Sequence, residues 1–156
     1  MIEQIHFQGV AYTPHEFAAF EAAHPEAFLL PAPTLDALKN QKRSEIHSAY
    51  HAAQSEGVPT TPGLTMKFGQ NDCVLVDGVV RYAELKGLPV VPKLIEADGT
   101  EHVGTISLAD GKTIVIEQFE AAYAADERIR ELLALVDAAT TPQEVEGIAW
   151  SMPASS

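Results

Sequence analysis

The sequence predicts an α+β fold: a mostly helical domain with a small antiparallel hairpin layer and a short amino-terminal β-hairpin/helix appendage. Three observations predict it. Thr13-Pro14-His15-Glu16 and Thr141-Pro142-Gln143-Glu144 carry the same helix-start chemistry, a capping hydroxyl, a proline at the first helical position and a reciprocal glutamate. Asp98-Gly99, between two apolar-containing runs, is a tight-turn signal. A proline-rich stretch from residue 24 to 34 separates an aromatic leader from the longer helical region. The expected organisation is therefore an appendage over 1–34, a helical domain over 35–150 and a frayed tail over 151–156.

In the appendage, Ile2, Ile5, Phe7, Val10 and Tyr12 surround the turn pair Gln8-Gly9, a hairpin pattern. Thr13 then caps a short helix through Phe17 and Phe20. Three prolines in the eleven positions 24–34 cannot share one helix, so this stretch is read as a linker or an extended segment. Phe28, Leu29 and Leu30 are too apolar for a purely solvated linker. Five of the chain's eleven aromatics (Phe7, Tyr12, Phe17, Phe20 and Phe28) fall in the first 30 residues. Core packing is the default reason for such a set, and its excess over so small a unit also suits a docking surface. Phe17, Phe20, Phe28 and Leu30 are the expected contact residues.

Thr34 is placed to cap a long helix that runs to Glu56 and stops at Gly57. Its apolar stripe (Leu35, Leu38, Ile46, Ala49, Tyr50, Ala53) is interrupted between Leu38 and Ile46 by a polar run containing Lys39, Lys42 and Arg43. Such a helix is expected to project, or to pair only at its ends. Residues 58–63 read as a turn and Leu64–Phe68 as a short strand. Asn71 or Asp72 then caps a helix to Leu85 that buries Val76, Val79, Val80, Ala83 and Leu85. Pro89 to Gly104 reads as the hairpin. Residues 107–119 fit two patterns: Ser107-Leu-Ala-Asp110 starts a helix, whereas Asp110-Gly111 before Thr-Ile-Val-Ile-Glu117 turns a second hairpin. Helical spacing of Ile129, Leu132, Leu133 and Val136 marks Asp126 to Ala139. Thr141 opens the last helix, anchored by Val145, Ile148 and Trp150.

Charge narrows the function classes. The net charge is −12, from 22 acids against 10 bases. Binding a polyphosphate backbone requires clustered Lys and Arg, and the one basic cluster, Lys39, Lys42 and Arg43, is diluted by Asp36 and Glu45. Nucleic acid and anionic membrane surfaces are not expected partners. Cys73 is the single cysteine, so no intrachain disulfide framework is expected. Met1-Ile-Glu-Gln-Ile5 lacks the basic flank and apolar core of a signal peptide, and no apolar run reaches the roughly 18 residues of a membrane span. A cytoplasmic protein without a membrane segment is the expectation.

Few constellations point to chemistry. His47 and His51 stand at i and i+4, a spacing that can bind zinc, with a third ligand from His102, Glu101 or elsewhere. The metalloprotease pattern needs Glu directly after the first histidine, where Ser48 stands. The bland alternative is two surface histidines. Cys73, beside Val74, Leu75 and Val76, reads as a buried inert thiol. Gly99 to Gly104 lacks the Gly-Lys-Ser/Thr ending of a phosphate loop. Asp98-Gly99 and Asp110-Gly111 lack the alternating ligands of a calcium loop. No cofactor is expected.

The order of these pieces carries a resemblance. It begins with a Lys/Arg-bearing helix containing Ile46 and Tyr50, a short strand, and a helix ending Ala83-Glu-Leu-Lys-Gly-Leu-Pro89. An Ala-Asp-Gly hairpin, a Ser-Leu-Ala-Asp helix start and the closing run Ala138-Ala-Thr-Thr-Pro-Gln-Glu-Val-Glu-Gly-Ile-Ala-Trp150 follow. This order resembles an uncharacterised domain family found in tail proteins of bacteriophages and prophages, often at the carboxyl end of tail-fibre or fibre-assembly proteins. The resemblance spans about residues 35–150, and its most specific piece is Ala138 to Val145. It carries over no catalytic or binding residue, and it leaves residues 1–34 outside. It implies a non-enzymatic tail-associated structural component or fibre-assembly chaperone. Such a protein binds other phage tail proteins and resides in the host bacterial cytoplasm during assembly or, as a virion component, in the tail; self-association into a homo-oligomer is expected separately, from the interrupted stripe of the long helix and the apolar linker. The competing expectation is a small metal-dependent enzyme using His47, His51 and an acid.

Overall fold

The structure is a computed structural model that describes residues 4–152. Ile2 of the expected first hairpin and residues 153–156 of the expected tail lie outside the described residues. The chain falls into two compact units, Met1–Thr34 and Leu35–Ser156.

In the first unit, β1 (Ile5–Phe7) pairs antiparallel with β2 (Val10–Tyr12), with Phe7 opposite Val10. The two-residue turn is left-handed at both positions, Gln8 at φ 50° and Gly9 at φ 81°. That geometry matches the twist of a tight hairpin. α1 (Pro14–Ala23) starts with the full capping box: the Glu16 amide donates to Thr13 Oγ1, and the Thr13 amide donates to Glu16 Oε2 at 2.9 Å. The proline-rich stretch is not purely extended, since Pro25–Phe28 forms a single 3-10 turn. That turn brings Phe28 back against Phe7, with ring centroids 4.9 Å apart and stacked.

The second unit is built along one helix. α2 (Leu35–Glu56) is followed by β3 (Val58–Pro59) and β4 (Thr65–Met66), which pair antiparallel. Then come α3 (Gln70–Leu85), β5 (Val90–Ile95), β6 (Glu101–Ser107), α4 (Leu108–Ala138) and α5 (Pro142–Glu146). β5 and β6 form the predicted hairpin, with Leu94 opposite His102 and Gly99 at φ 91° in its turn. At 31 residues, α4 is about 46 Å long at 1.5 Å per residue. It contributes to all three apolar clusters of the unit. Ile114 joins Leu64, Met66, Val80, Val91 and Leu94. Ala125 joins Phe68 and Cys73, and Ile129, Leu132 and Val136 join Ile46.

Several expectations need correction. Of the two patterns open for 107–119 the helix forms, from Leu108 onward with Ser107 ending β6, and α4 runs unbroken through the expected separate start at Asp126. Ser107 Oγ accepts from the Asp110 amide at 3.0 Å, which fixes the start. Gly111 is buried against Val91 and Val80 rather than turning the chain. α2 does not project. Its polar run faces the end of α4, where Lys39 Nζ donates to the Asp137 carbonyl at 2.8 Å and Arg43 pairs with the Asp137 carboxylate at 2.5 Å. The last turn of α4 has no basic residue of its own, so α2 supplies the cations that its carbonyl end favours. α3 starts at Gln70 with Gly69 as its cap, earlier than Asn71 or Asp72, and Leu85 is exposed rather than buried. The expected 58–63 turn contains strand β3. α5 ends at Glu146, so Ile148 and Trp150 pack from the chain that follows it.

Candidate functional site

The residues expected to contact a partner divide into two kinds. Phe17, Phe20 and Phe28 pack on one another and on Phe7 and Tyr12. Phe17 meets Phe28 edge-on at 5.7 Å, and Phe20 lies 5.3 Å from Tyr12. These rings are half-buried and build the first unit. Leu30 is different: it is 92% exposed, and its neighbour Leu29 is 73% exposed. Among the described residues of this unit, Leu29 and Leu30 are the most outward-facing large apolar side chains, followed by Val10, while the three phenylalanines are partly exposed. Phenylalanines at this density first satisfy each other, because ring pairs are favourable beyond their area burial.

His47 and His51 are both exposed on α2. The His51 ring lies against Tyr50, with its Nδ1 3.3 Å from Gln54 Oε1. Among the described residues, no group of three His, Cys, Asp or Glu side chains is placed to hold a metal ion. Cys73 is buried between Phe68 and Ala125, and burial together with the nearby Asp72 charge pushes its thiol pKa up. A thiol so disposed is a poor nucleophile. No helix among the described residues is long and apolar enough to cross a membrane.

The feature that sequence reasoning missed is a groove of about 600 Å³ in the second unit. α3 supplies Asp72, Leu75, Val76 and Val79 to one wall; β5 and the following turn supply Lys93 to Gly99 to another. Met66 and Lys67 of the β4 segment and Gln118 of α4 complete the lining. Its walls are mainly apolar, and a volume of this size suits a small molecule or a few residues of a partner.

Gln118 is fully buried. Its Nε2 donates to the Lys67 carbonyl at 2.6 Å, while its Oε1 has no hydrogen-bond partner. The reversed amide would set two oxygens 2.6 Å apart, so the network fixes which atom is left over. One signal could have found this residue: Gln118 falls in helical register with the buried Ile114, Ala125 and Ile129.

Charged side chains of both signs line the groove, Asp72, Glu96 and Asp98 with Lys67 and Lys93. Glu96 Oε1 lies 2.7 Å from His102 Nε2, and Glu96 Oε2 accepts from the Thr65 amide at 2.8 Å. The His102 ring beside it, then that amide, hold the Glu96 carboxyl below its usual range. The Asp98 carboxyl is likewise lowered, mainly by the Thr100 amide. Lys93 is paired with Glu101 at 2.7 Å. Farther along α3 and α4, Tyr82, Leu85, Ile116, Phe119 and Tyr123 expose further apolar surface.

No protein-family model, curated protein or solved structure matches this chain.

Proposed function

We propose that the protein is a tail-associated component of a bacteriophage or prophage, a structural part or fibre-assembly chaperone, that works by binding other tail proteins and not by catalysis. The resemblance over residues 35–150 supplies the setting. One observation carries the mode of action: none of the described residues up to Thr34 is buried, yet Leu29 and Leu30 stand 73% and 92% exposed at the unit's end. A unit without a buried core that displays adjacent leucines gains most from a second surface, because covering apolar area is the main driving force of association. The acidic balance disfavours a polyphosphate partner, and a protein surface suits the exposed leucines.

The same reading includes self-association, for which the exposed Ile116, Phe119 and Tyr123 along one face of α4 are the supporting feature. It places the protein in the bacterial host during tail assembly and, for a structural part, in the virion tail thereafter. Co-expression with the products of the flanking genes is the test. A neighbouring tail protein should co-purify, and deletion of residues 1–33 or the double change Leu29→Ser/Leu30→Ser should abolish the complex while the remainder stays folded. A complex that survives both changes overturns the assignment of the contact, and flanking genes of metabolism overturn the tail setting.

A further inference from the structure

We propose that α4 pairs with α4 of a second copy of this chain, antiparallel about a two-fold axis, with Ile116 of each copy opposite Phe119 of the other. The proposal deepens the self-association named above and rests on that reading. It begins with the two faces of α4. Ile114, Gln118, Ala125, Ile129, Leu132 and Val136 are buried and recur at helical spacing. On the opposite face Ile116, Phe119 and Tyr123 recur at three and four residues and stand 58%, 45% and 64% exposed. A helix needs one apolar stripe to join a core. The second stripe is left over after the core is built.

Its size suits an interface. Leu85 of α3, 86% exposed, lines a groove of about 500 Å³ with Val115, Ile116 and Lys112, so the apolar row widens onto α3 there. At these exposures Leu85, Ile116, Phe119 and Tyr123 present roughly 500 Å². One partner of a standard interface covers about 800 Å², so these four side chains supply more than half and their polar neighbours the remainder. The Phe119 ring of the other copy, set opposite Ile116, enters the groove. The knob and the hollow it fills therefore lie one turn apart on the same helix. An isologous contact has this form, in which residue i meets j and j meets i.

Charge chooses the direction and the register. Exposed Lys112 stands one turn before Ile116, and exposed Glu127 one turn after Tyr123. In a parallel pair each would face its own like. Antiparallel pairing with Ile116 opposite Phe119 sets Lys112 against the other copy's Tyr123, one turn from Glu127. There it meets an aromatic ring and a carboxylate. Lys112 also pairs with Glu84 at 2.5 Å, and an ammonium has three donors, so these contacts are compatible. The register one heptad along, with Phe119 opposite Tyr123, would set Lys112 against Arg130, a like pair. A fitting partner helix must carry apolar side chains at the same spacing with its charges in reversed order. α4 run backwards is such a helix.

The experiment is sedimentation equilibrium of the full chain, with circular dichroism to check that each variant folds. The unaltered protein should be dimeric at roughly 100 µM. Ile116→Glu should weaken the dimer on the order of hundredfold, because the change acts twice across the axis. Tyr123→Lys sets a second cation opposite Lys112 and should weaken the dimer more than Tyr123→Glu does. Adding Lys112→Glu to each should reverse that order. The Tyr123 variants keep the test decisive if Ile116→Glu does not fold. A monomer at that concentration, or a dimer as tight in Ile116→Glu as in the unaltered chain, overturns the pairing. Equal effects of Lys and Glu at position 123 overturn its antiparallel register. Co-purification of a neighbouring tail protein is scored separately: retained by a monomeric chain, it leaves the tail-binding reading standing without the dimer.

Discussion

Gly111 occupies the second turn of α4 and is there for lack of a side chain rather than for backbone freedom. A Cβ at this position would lie 2.5 Å from Val91 Cγ2 and 3.1 Å from Val80 Cγ2, so α4 reaches β5 and α3 only because nothing projects. Alanine normally gains about 1 kcal/mol over glycine inside a helix, whereas forcing a methyl into a packed core costs about 1–3 kcal/mol. Both neighbours are short β-branched side chains with little room to rotate away, so overpacking wins. Gly111→Ala should lower the unfolding free energy by about 1–2 kcal/mol in urea. Gly78, in α3 with nothing near its absent Cβ, is the internal control: Gly78→Ala should raise stability by roughly 0.5–1 kcal/mol. If the two substitutions shift the midpoint the same way, close approach is not what Gly111 provides.

Tyr50 gives a second prediction at this scale. Its hydroxyl donates to the Asp126 carboxylate and its ring meets Trp150 edge-on at 5.7 Å. Burial first, then the hydrogen bond to Asp126 and that group's negative charge, push its pKa from the ordinary 10.0 up to about 12. The folded state thus favours the neutral phenol. Its contribution to stability is fully present below pH 10 and is lost as pH rises toward 12. Alkaline titration at 295 nm should show a tyrosinate component with a midpoint near pH 12, and Tyr50→Phe should remove it. If that component persists in the variant, the Tyr50–Asp126 contact is not its source.

At the scale of elements, what was legible in the sequence was what is decided locally. The capping boxes at Thr13 and Thr141 and the Asp98-Gly99 turn depend on residues within four positions of one another, and they form as their spacing predicts. The 107–119 stretch was open because its local chemistry serves two structures. β-branched Thr113, Ile114, Val115 suit a strand, and Asp110-Gly111 suits a turn. The choice falls to the helix through partners far away in sequence, with Gly111 against Val91 and Ile114 in the cluster with Met66 and Leu94. The polar gap in α2 misled for the same reason. Lys39 and Arg43 read as solvated until Asp137, more than ninety positions on, is seen to receive them. The groove was the least legible feature. Its walls come from four separate segments, and its buried acceptor is defined by Gln118 bonding a carbonyl 51 positions away. No spacing rule spans such distances.

For the whole molecule, the two units differ in how each holds itself together. Residues 35–156 contain three apolar clusters strung along α4, with Phe68, Ile46, Met66, Ile114 and Leu132 among the fully buried side chains. Residues 1–34 have a hairpin, a capped helix and an aromatic cluster, but none of the described residues in this span is buried. Chains below about 40 residues rarely bury enough surface to offset the entropy of ordering them unless a disulfide, a metal or a partner assists. Cys73 is the only cysteine and lies outside this unit, so a disulfide within it is not available. A peptide of residues 1–34 should therefore show little helical circular dichroism on its own, whereas a fragment of residues 35–156 should keep its helical signal and melt cooperatively. Adding the partner recovered by co-purification should induce helical signal in the peptide, because a unit that cannot fold alone must gain its ordering energy from the surface it binds. A peptide that is already ordered without a partner would show that the aromatic cluster suffices, and the exposed Leu29-Leu30 pair would lose its energetic reason to seek a second surface.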